Sequence, residues 1–266
     1  MFSRELRISL IEDDVVFGDK EANLANLRKN LLQVPDNTDV VFLPELFSTG
    51  FCREKDAALN LAETNTGDTM TFVHNLARTC NVAFCGSFLA RTAGRIYNRL
   101  FFVEPNGDDV FYDKKHLFSV GHEDDAVSPG FTAAPTVRFR GVNFKLVVCY
   151  DLRFPVFCRN VSNDYDVLVC VANWPKARVD TWRTLLAARA IENEAYVVGI
   201  NRSGTDNFGV DYGSGSSGIF DFRGKLMAER SRSSSVVTAK LSPAALRSFR
   251  DSFPAWRDAD NFTLNF

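Results

Sequence analysis

The sequence has 266 residues, of which 45% are hydrophobic and 24% charged, with a formal net charge of −2. This is the composition of an ordinary globular protein, and the near-neutral charge excludes a general electrostatic attraction to nucleic acid or to an anionic membrane surface. No stretch approaches the ~20 consecutive apolar residues that span a bilayer. Because Glu5 and Arg7 interrupt the N-terminal stretch early, we expect no secretory signal there and no membrane partner.

Six cysteines are spread over positions 52 to 170. A chain of this length builds a core without disulfides, so the cysteines are predicted to be free thiols in a reducing, cytoplasmic compartment. None of them shows CxxC spacing, which gives little support to a structural metal site.

Apolar patterns and turn signals alternate along the chain. The segment "LRISLIED" predicts a first strand, and "EANLANLRKNLL" predicts a helix with Leu24, Leu27, Leu31 and Leu32 on one face. In chain order, the patterns then predict the buried strand "DVVFLPEL", the helix "TMTFVHNLARTC", the strands "VAFCGSFLA" and "RIYNRLFFVE", a turn at "EPNGDD", the hairpin "TVRFRGVNFKLVVC" around Gly141, the strand "YDVLVCVAN", the helix "TWRTLLAARAIENE", the strand "AYVVGINRSG", the hairpin "SSGIFDFRGKLMAE" around Arg223-Gly224, and the strand "SSVVTAKLS".

Strands and helices therefore mix throughout, with hairpins as well as crossovers. This mixture favours an α/β fold with a mixed sheet, or two stacked sheets, and helices outside. The Ser/Gly-rich stretch at 213–218 is short and lies between strands, which favours a loop over a linker. Without a linker or an internal repeat, residues 1–266 are predicted to form a single domain, with a C-terminal tail over about 242–266.

Four polar segments follow predicted strands. Glu45 comes after "VVFLP", the segment "FYDKKHLF" carries two lysines and a histidine, Cys149 ends the run "KLVVC", and "VANWPKAR" leads through an Asn-Trp-Pro loop into a helix. Alone, each has an ordinary explanation: a capping carboxylate, a solvated turn, a buried inert thiol and a strand-to-helix turn. Together they place carboxylate, ammonium and thiol at strand ends, and these are the parts of a nucleophilic acyl-transfer site.

Longer blocks around these groups resemble the carbon–nitrogen hydrolase, or nitrilase, superfamily, and most of all its ω-amidase branch. The blocks are "FLPELFSTGF", "YDKKHLF", "VVCYDLRFP" and "VANWPKAR…W…LLAARAIENEAYVVGINRSGTD". The resemblance extends from the first strand to "FPAWRDADNF" near the C-terminus. It implies a four-layer α-β-β-α sandwich, and it implies a homodimer to which Phe154, Phe157 and Arg159 of "RFPVFCRN" are expected to contribute.

The resemblance also implies roles for individual residues. Glu45 matches the general base, and Cys149 matches the nucleophile. Lys114, and not Lys115, matches the catalytic lysine, because the family pattern is Tyr-x-Lys-x-His-Leu-Phe; Lys115 is expected to be solvated. Lys114 and the backbone N–H of Tyr150 are the implied donors to the oxyanion.

A second family glutamate is matched by Glu123, which stands seven residues before Gly130 as the family pattern requires. Two positions depart from that pattern. Val127 stands near where an aromatic residue is expected, and Ser216 stands in place of an acidic residue. Both departures bear on the shape of the pocket.

The implied activity is hydrolysis of the terminal amide of a small dicarboxylate monoamide, such as 2-oxoglutaramate, 2-oxosuccinamate or succinamate, through a cysteine thioester and without a metal or organic cofactor. The distal carboxylate of such a substrate requires a cation, and Arg178 and Arg202 are the candidates. Arg153 is a weaker candidate, since an ion pair with Asp151 or a helix carboxylate is favoured for it. Trp174 is expected either to wall the pocket or to pack in the core.

Two alternatives stay open at this level. Another carbon–nitrogen hydrolase, a nitrilase or an N-carbamoyl amidohydrolase, would use the same catalytic groups. A non-catalytic metabolite-binding member would keep the fold, although the intact set of Glu45, Lys114 and Cys149 disfavours it. Sequence spacing does not show whether these groups meet in space.

Overall fold

The computed structural model describes residues 4–231, 234–260 and 262–264. The helices in these ranges are α1 (Lys20–Leu31), α2 (Lys55–Leu61), α3 (Asp68–Cys80), α4 (Val179–Asn193) and α5 (Pro243–Ser252). The strands are β1 (Leu6–Ile11), β2 (Val40–Phe42), β3 (Ala83–Thr92), β4 (Arg95–Val103), β5 (Asp109–Asp113), β6 (Thr136–Phe139), β7 (Val142–Val148), β8 (Val167–Ala172), β9 (Tyr196–Asn201), β10 (Gly204–Thr205), β11 (Asp211–Gly213), β12 (Gly218–Phe220), β13 (Leu226–Glu229) and β14 (Val236–Leu241). Across the described residues, no helix combines the length and apolar character needed to cross a membrane.

Two six-stranded sheets form the centre of the fold. The first has the order β14-β1-β2-β3-β4-β5, and the second has the order β13-β12-β9-β8-β7-β6. Three consecutive strands are parallel in each sheet, β1-β2-β3 and β7-β8-β9, and the other neighbours are antiparallel. Because parallel strands end at the same edge of a sheet, the loops that follow them collect there.

The alternation of side chains along the strands explains how the sheets stack. Leu6 and Ile8 of β1 point into a buried core that the two sheets share. In the same interface the ring of Phe144 on β7 lies 6.3 Å from that of Phe42 and 5.8 Å from that of Phe102, measured between centroids. Aromatic residues from both sheets therefore fill the space between them.

The opposite faces of the sheets are covered by helices. On the first sheet, Val41 and Phe84 share a buried cluster with Val73 of α3. On the second sheet, α4 approaches β9 so closely that a Cβ on Gly199 would lie 2.4 Å from Leu186. The result is the four-layer α-β-β-α sandwich that the family resemblance implies.

The predicted elements are present, with some differences at their ends. Leu32 does not lie on the buried face of α1 but forms its C-terminal cap, where it is 87% exposed. The structure adds α2, α5 and a short β10-β11 ribbon. α5 lies in the predicted tail and begins with a readable signal, since Ser242 Oγ accepts from the Ala245 N–H at 3.3 Å ahead of Pro243. Positions 261, 265 and 266 of that tail lie outside the described residues.

Candidate active site

Polar side chains from both sheets meet at one edge of the sandwich. Glu45 follows β2 and Lys114 follows β5 of the first sheet, while Cys149 follows β7 and Asn173 follows β8 of the second. Glu123 comes from a short 3-10 turn in the loop between β5 and β6. Glu45, Lys114 and Glu123 are each 1% exposed, so their charges are shielded from water.

Lys114 lies between two carboxylates. Its Nζ donates to Glu45 Oε1 at 2.8 Å and to Glu123 Oε1 and Oε2 at 3.0 and 2.8 Å. Asn98 Nδ2 joins the same pair, donating to Glu45 Oε1 at 2.7 Å and to Glu123 Oε1 at 3.0 Å. Charge-assisted hydrogen bonds of this kind fix the ammonium in position and satisfy the buried carboxylates.

Cys149 occupies a sharp turn directly after β7. Its φ is 44°, in the left-handed region, and it begins the 3-10 turn Cys149–Arg153. A non-glycine residue in this region stores on the order of 1–3 kcal/mol of strain, which the surrounding structure must hold. Its Sγ lies 3.9 Å from the carbonyl oxygen of Asn173. A turn of this kind between a strand and a helix can carry a nucleophile.

The electrostatics of the cluster favour a protonated thiol beside a charged lysine. Burial, and after it the Glu45 carboxylate, raise the pKa of Cys149 well above its ordinary value, with Lys114 opposing them. Burial lowers the pKa of Lys114, but Glu123 and Glu45 together outweigh it and hold that pKa well above the ordinary value. Burial also raises the pKa of Glu45. A thiol that keeps its proton needs a base before it can attack.

Asp151 joins the nucleophile turn to the loop that carries Lys114. Its Oδ2 accepts from the Val148 N–H at 3.0 Å and from the Tyr112 hydroxyl at 2.9 Å. Its Oδ1 accepts from the His116 backbone N–H at 3.0 Å and lies 2.8 Å from Nδ1 of the same residue. One fully buried carboxylate therefore fixes the backbone on both sides of the site.

A small cavity of about 20 Å³ opens beside Cys149. Across the described residues, no group of three or more His, Cys, Asp or Glu side chains is arranged to hold a metal ion. The cavity is lined by Phe118, Cys149, Tyr150, Arg153, Asn173, Trp174, Pro175 and Arg178.

The two main candidate cations for a substrate carboxylate lie in different places. Arg178 is half-buried and lines the cavity, with its guanidinium 5.3 Å from the Phe118 ring centroid. Arg202 is absent from the lining and fully buried, and its Nη2 donates to the Val15 carbonyl at 2.8 Å and to Asp14 Oδ1 at 3.2 Å. The expectation that Arg202 meets the substrate stays a prediction: its Nη2 is bound to this N-terminal segment, whereas its buried Nη1 has no hydrogen-bond partner among the described residues.

Arg153 and Trp174 also lie at the cavity. The expected pairing of Arg153 with Asp151 is wrong, because that carboxylate is used by the nucleophile turn and the lysine loop. The Arg153 guanidinium instead lies 5.1 Å from the Trp174 ring centroid. Trp174 both lines the cavity and packs in the core, where its ring centroid lies 5.2 Å from that of Trp182.

The two residues that depart from the family pattern, Val127 and Ser216, are accommodated by their neighbours. Val127 is buried in a cluster that includes Leu46. Ser216 Oγ accepts from Asn201 Nδ2 at 2.8 Å. The buried carboxylate at this turn comes from the other sheet, where Glu12 accepts from the Ser217 N–H at 3.0 Å.

Several residues of the site go beyond the predicted set. Asn98, Asp151 and Asn173 are buried polar residues that contact or line the site. The signal for Asn98 was readable, since it is a polar residue within the apolar run of β4. A further difference concerns Lys115, which is half-buried rather than solvated.

Comparison with known proteins identifies the family to which this chain belongs. The carbon-nitrogen hydrolase family model matches residues 7–251. The chain is 42% identical over 260 residues to the omega-amidase YafV of Escherichia coli (strain K12), with 97% of this chain and 98% of that protein covered. It is 30% identical over 258 residues to the 2-oxoglutaramate amidase of Bacillus subtilis (strain 168), with 94% and 96% covered.

A crystal structure with the same fold is that of XC1258 from Xanthomonas campestris. It matches with a TM-score of 0.93 and 38% identity, covering 98% of this chain and 100% of that one. XC1258 is a CN-hydrolase superfamily protein with an arsenic adduct in its active site. The four-layer sandwich and these matches define a hydrolase of carbon–nitrogen bonds. This chain belongs to the carbon–nitrogen hydrolase family.

Proposed function

We propose that this chain is an ω-amidase, which hydrolyses the terminal amide of small dicarboxylate monoamides of the 2-oxoglutaramate, 2-oxosuccinamate and succinamate type to a carboxylate and ammonia. The observation that carries the proposal is the buried Lys114, held between Glu45 and Glu123 at the edge where the Cys149 turn lies. The names of two relatives, an omega-amidase and a 2-oxoglutaramate amidase, support the substrate class.

In the proposed acylation, Glu45 takes the proton from Cys149 Sγ, and the sulfur attacks the amide carbonyl carbon. The carbonyl electron pair moves onto oxygen, where the Lys114 ammonium and the Tyr150 backbone N–H stabilise the negative charge. Glu45 then gives its proton to the amide nitrogen. The C–N bond breaks, ammonia leaves, and a thioester remains on Cys149.

In the proposed deacylation, Glu45 removes a proton from water, whose oxygen attacks the thioester carbonyl. The C–S bond breaks, the sulfur recovers its proton from Glu45, and the product carboxylic acid leaves. Glu123 keeps Lys114 charged and oriented throughout, because its Oε2 accepts from that ammonium and from the Phe118 N–H at 2.7 Å. Water is the only co-reactant that these steps require.

Arg178 is the proposed partner of the distal carboxylate of the substrate. It is half-buried at the cavity, and a guanidinium can bind a carboxylate through two parallel hydrogen bonds. Phe118 and Trp174 line the same cavity and offer apolar surface to the short methylene chain of the substrate. This arrangement favours monoamides that carry an anionic group at the far end.

The test of this function is a substrate panel assayed for released ammonia. Succinamate and 2-oxosuccinamate are expected to react, whereas an aliphatic nitrile and an N-carbamoyl amino acid are not. Cys149→Ala, purified in parallel, controls for contaminating amidases. Reaction of the nitrile or the carbamoyl compound in place of the monoamides would assign one of the other carbon–nitrogen hydrolase activities. No reaction with any compound would favour a binding role.

The homodimer also belongs to this proposal, with a corrected set of surface residues. Phe157 is 7% exposed, and Phe154 stacks on the His116 ring with centroids 3.8 Å apart, so neither is freely exposed. Val156 and Val161 beside them are 50% and 54% exposed, and this apolar surface supports the association of two copies. Sedimentation at micromolar concentration should show twice the 29.8 kDa chain mass; a monomer alone would contradict the dimer.

A single domain and a cytoplasmic location complete the proposal. All six cysteines are unpaired thiols. Free thiols are typical of a reducing compartment, which supports the cytoplasm as the place of action.

A further inference from the structure

The side-chain amide of Asn173 has no hydrogen-bond partner among the described residues. Neither its Oδ1 nor its Nδ2 is bonded, although the residue is only 7% exposed. Buried polar groups are nearly always paired, so an orphaned amide needs an explanation. Asn173 lines the cavity beside Cys149, where a bound substrate can supply the missing partner.

The backbone of Asn173 is firmly held at the end of β8. Its N–H donates to Glu45 Oε2 at 2.7 Å, and its carbonyl oxygen lies 3.9 Å from Cys149 Sγ. The N–H of the next residue, Trp174, donates to Asn201 Oδ1 at 2.6 Å. The side-chain amide is therefore carried on a fixed backbone close to the sulfur. The reacting carbon of the substrate must approach that sulfur to about 3–3.5 Å, so the amide lies near any bound substrate.

The proposed catalysis, on which this inference rests, leaves one polar group of a 2-oxo substrate without a partner. The scissile carbonyl oxygen is assigned to Lys114 and the Tyr150 N–H, the leaving nitrogen to Glu45, and the distal carboxylate to Arg178. The 2-oxo oxygen remains, and a buried acceptor must be satisfied by a donor. Asn173 Nδ2 is a donor in the same cavity that lacks an acceptor.

We propose that Asn173 is a specificity-determining residue, whose Nδ2 donates a hydrogen bond to the 2-oxo group of the substrate. Monoamides of 2-oxo acids then become better substrates than the same monoamides without the oxo group. A site built around a polar donor discriminates well, because an analogue without the acceptor leaves that donor unpaired.

The kinetic test compares 2-oxosuccinamate with succinamate, which differ only at the oxo group. The wild type should prefer 2-oxosuccinamate in kcat/KM, and Asn173→Ala should lose about three- to tenfold of that preference, the range of one neutral hydrogen bond. Asn173→Leu should lose the same preference, although the leucine side chain still fills the volume of the asparagine. Phe118→Leu, on the apolar wall of the same cavity, is the matched control and should change both substrates by one common factor.

Thermal unfolding separates this role from a structural one. Because the amide has no partner within the described protein, Asn173→Ala breaks no hydrogen bond, and its Tm should equal or exceed that of the wild type. A Tm lowered by several degrees would assign a structural role and overturn the proposal. An active wild type without the preference, or a preference that survives in Asn173→Ala, would also overturn it while leaving the amidase function standing. A wild type that hydrolyses neither compound would remove the amidase function and this inference together.

Discussion

At the scale of single residues, the site is built on one ammonium shared by two carboxylates. Lys114, Glu45 and Glu123 are each 1% exposed. Removing one member of such a buried group leaves an uncompensated charge, which typically destabilises a protein by about 3–5 kcal/mol. Each of these residues therefore supports the fold in addition to its proposed catalytic role, and variants at these positions require measurements of both activity and stability.

At Cys149 we expect a substitution to remove activity without lowering the stability of the fold. Cys149→Ala and Cys149→Ser should abolish ammonia release, because neither side chain can form the thioester. The unfolding temperature should stay close to that of the wild type, since the Sγ contact with the Asn173 carbonyl is a long one at 3.9 Å. Cys158→Ala, another buried thiol, is the control and should remain active. Turnover close to wild type in either Cys149 variant would remove it as the nucleophile.

The pH dependence of the reaction follows from Glu45. In the proposed acylation the ionised carboxylate accepts the proton of Cys149, so we expect activity to be lost as the pH falls through the pKa of the base. Burial raises the pKa of Glu45 above its ordinary 4.5. The acid limb of kcat/KM should therefore lie above pH 4.5, as a property of the interacting Glu45, Lys114 and Glu123 group. A profile that stays flat down to pH 4.5 would contradict the assignment of the base.

Arg178 should act on the anionic end of the substrate and not on the reacting amide. Arg178→Ala is expected to lower kcat/KM for succinamate by about ten- to a hundredfold, since hydrogen bonds to charged groups contribute about 1.5–3 kcal/mol. Butyramide, which has a methyl group in place of the carboxylate, should lose little. Arg153→Ala removes the other cation at the cavity and should have the smaller effect on succinamate. Equal losses on the two substrates would contradict carboxylate binding by Arg178.

At the scale of elements, the loops after strands carry the chemistry, and buried anchors align them. The strands and their ends could be predicted from the sequence, because apolar runs such as "KLVVC" stop at polar residues. The left-handed φ of Cys149 was not readable, because glycine is the usual sign of that conformation. Gly130 was noticed through its spacing, and the structure supplies the physical reason: a Cβ there would lie 2.0 Å from the Asp113 carbonyl oxygen.

Asp151 is the anchor between the nucleophile turn and the lysine loop. Asp151→Asn keeps one acceptor oxygen but turns the other into a donor, which then faces N–H groups of Val148 or His116. We expect a lower unfolding temperature together with a lower kcat, because each hydrogen bond to a charged group contributes about 1.5–3 kcal/mol. Asp164→Asn, which changes an exposed carboxylate bonded to Thr136, should stay near the wild type. Full activity and stability in Asp151→Asn would show that the anchor is dispensable.

At the scale of the whole molecule, the site exists because two sheets stack face to face, so that strand ends of both lie at one edge of the sandwich. Glu45 and Lys114 end strands of the first sheet, whereas Cys149 and Asn173 end strands of the second. Glu45 is 69 residues from Lys114 and 128 residues from Asn173, yet it bonds to both. Spacing along the chain carries no information on such contacts, so the family resemblance predicted the set, and the stacking of the sheets explains how its members meet.

The arrangement is tested most directly by steady-state ammonia release from succinamate with Lys114→Ala and Lys115→Ala. Lys114 is buried between Glu45 and Glu123, while its neighbour is half-buried. Loss of the cation that faces the oxyanion should lower kcat by about a hundredfold or more. Lys114→Arg keeps the charge and should remain impaired, because a planar guanidinium does not replace a compact ammonium. Lys115→Ala should lose less than about tenfold. Equal losses in the two alanine variants, or turnover near wild type with Lys114→Ala, would contradict a site assembled around Lys114.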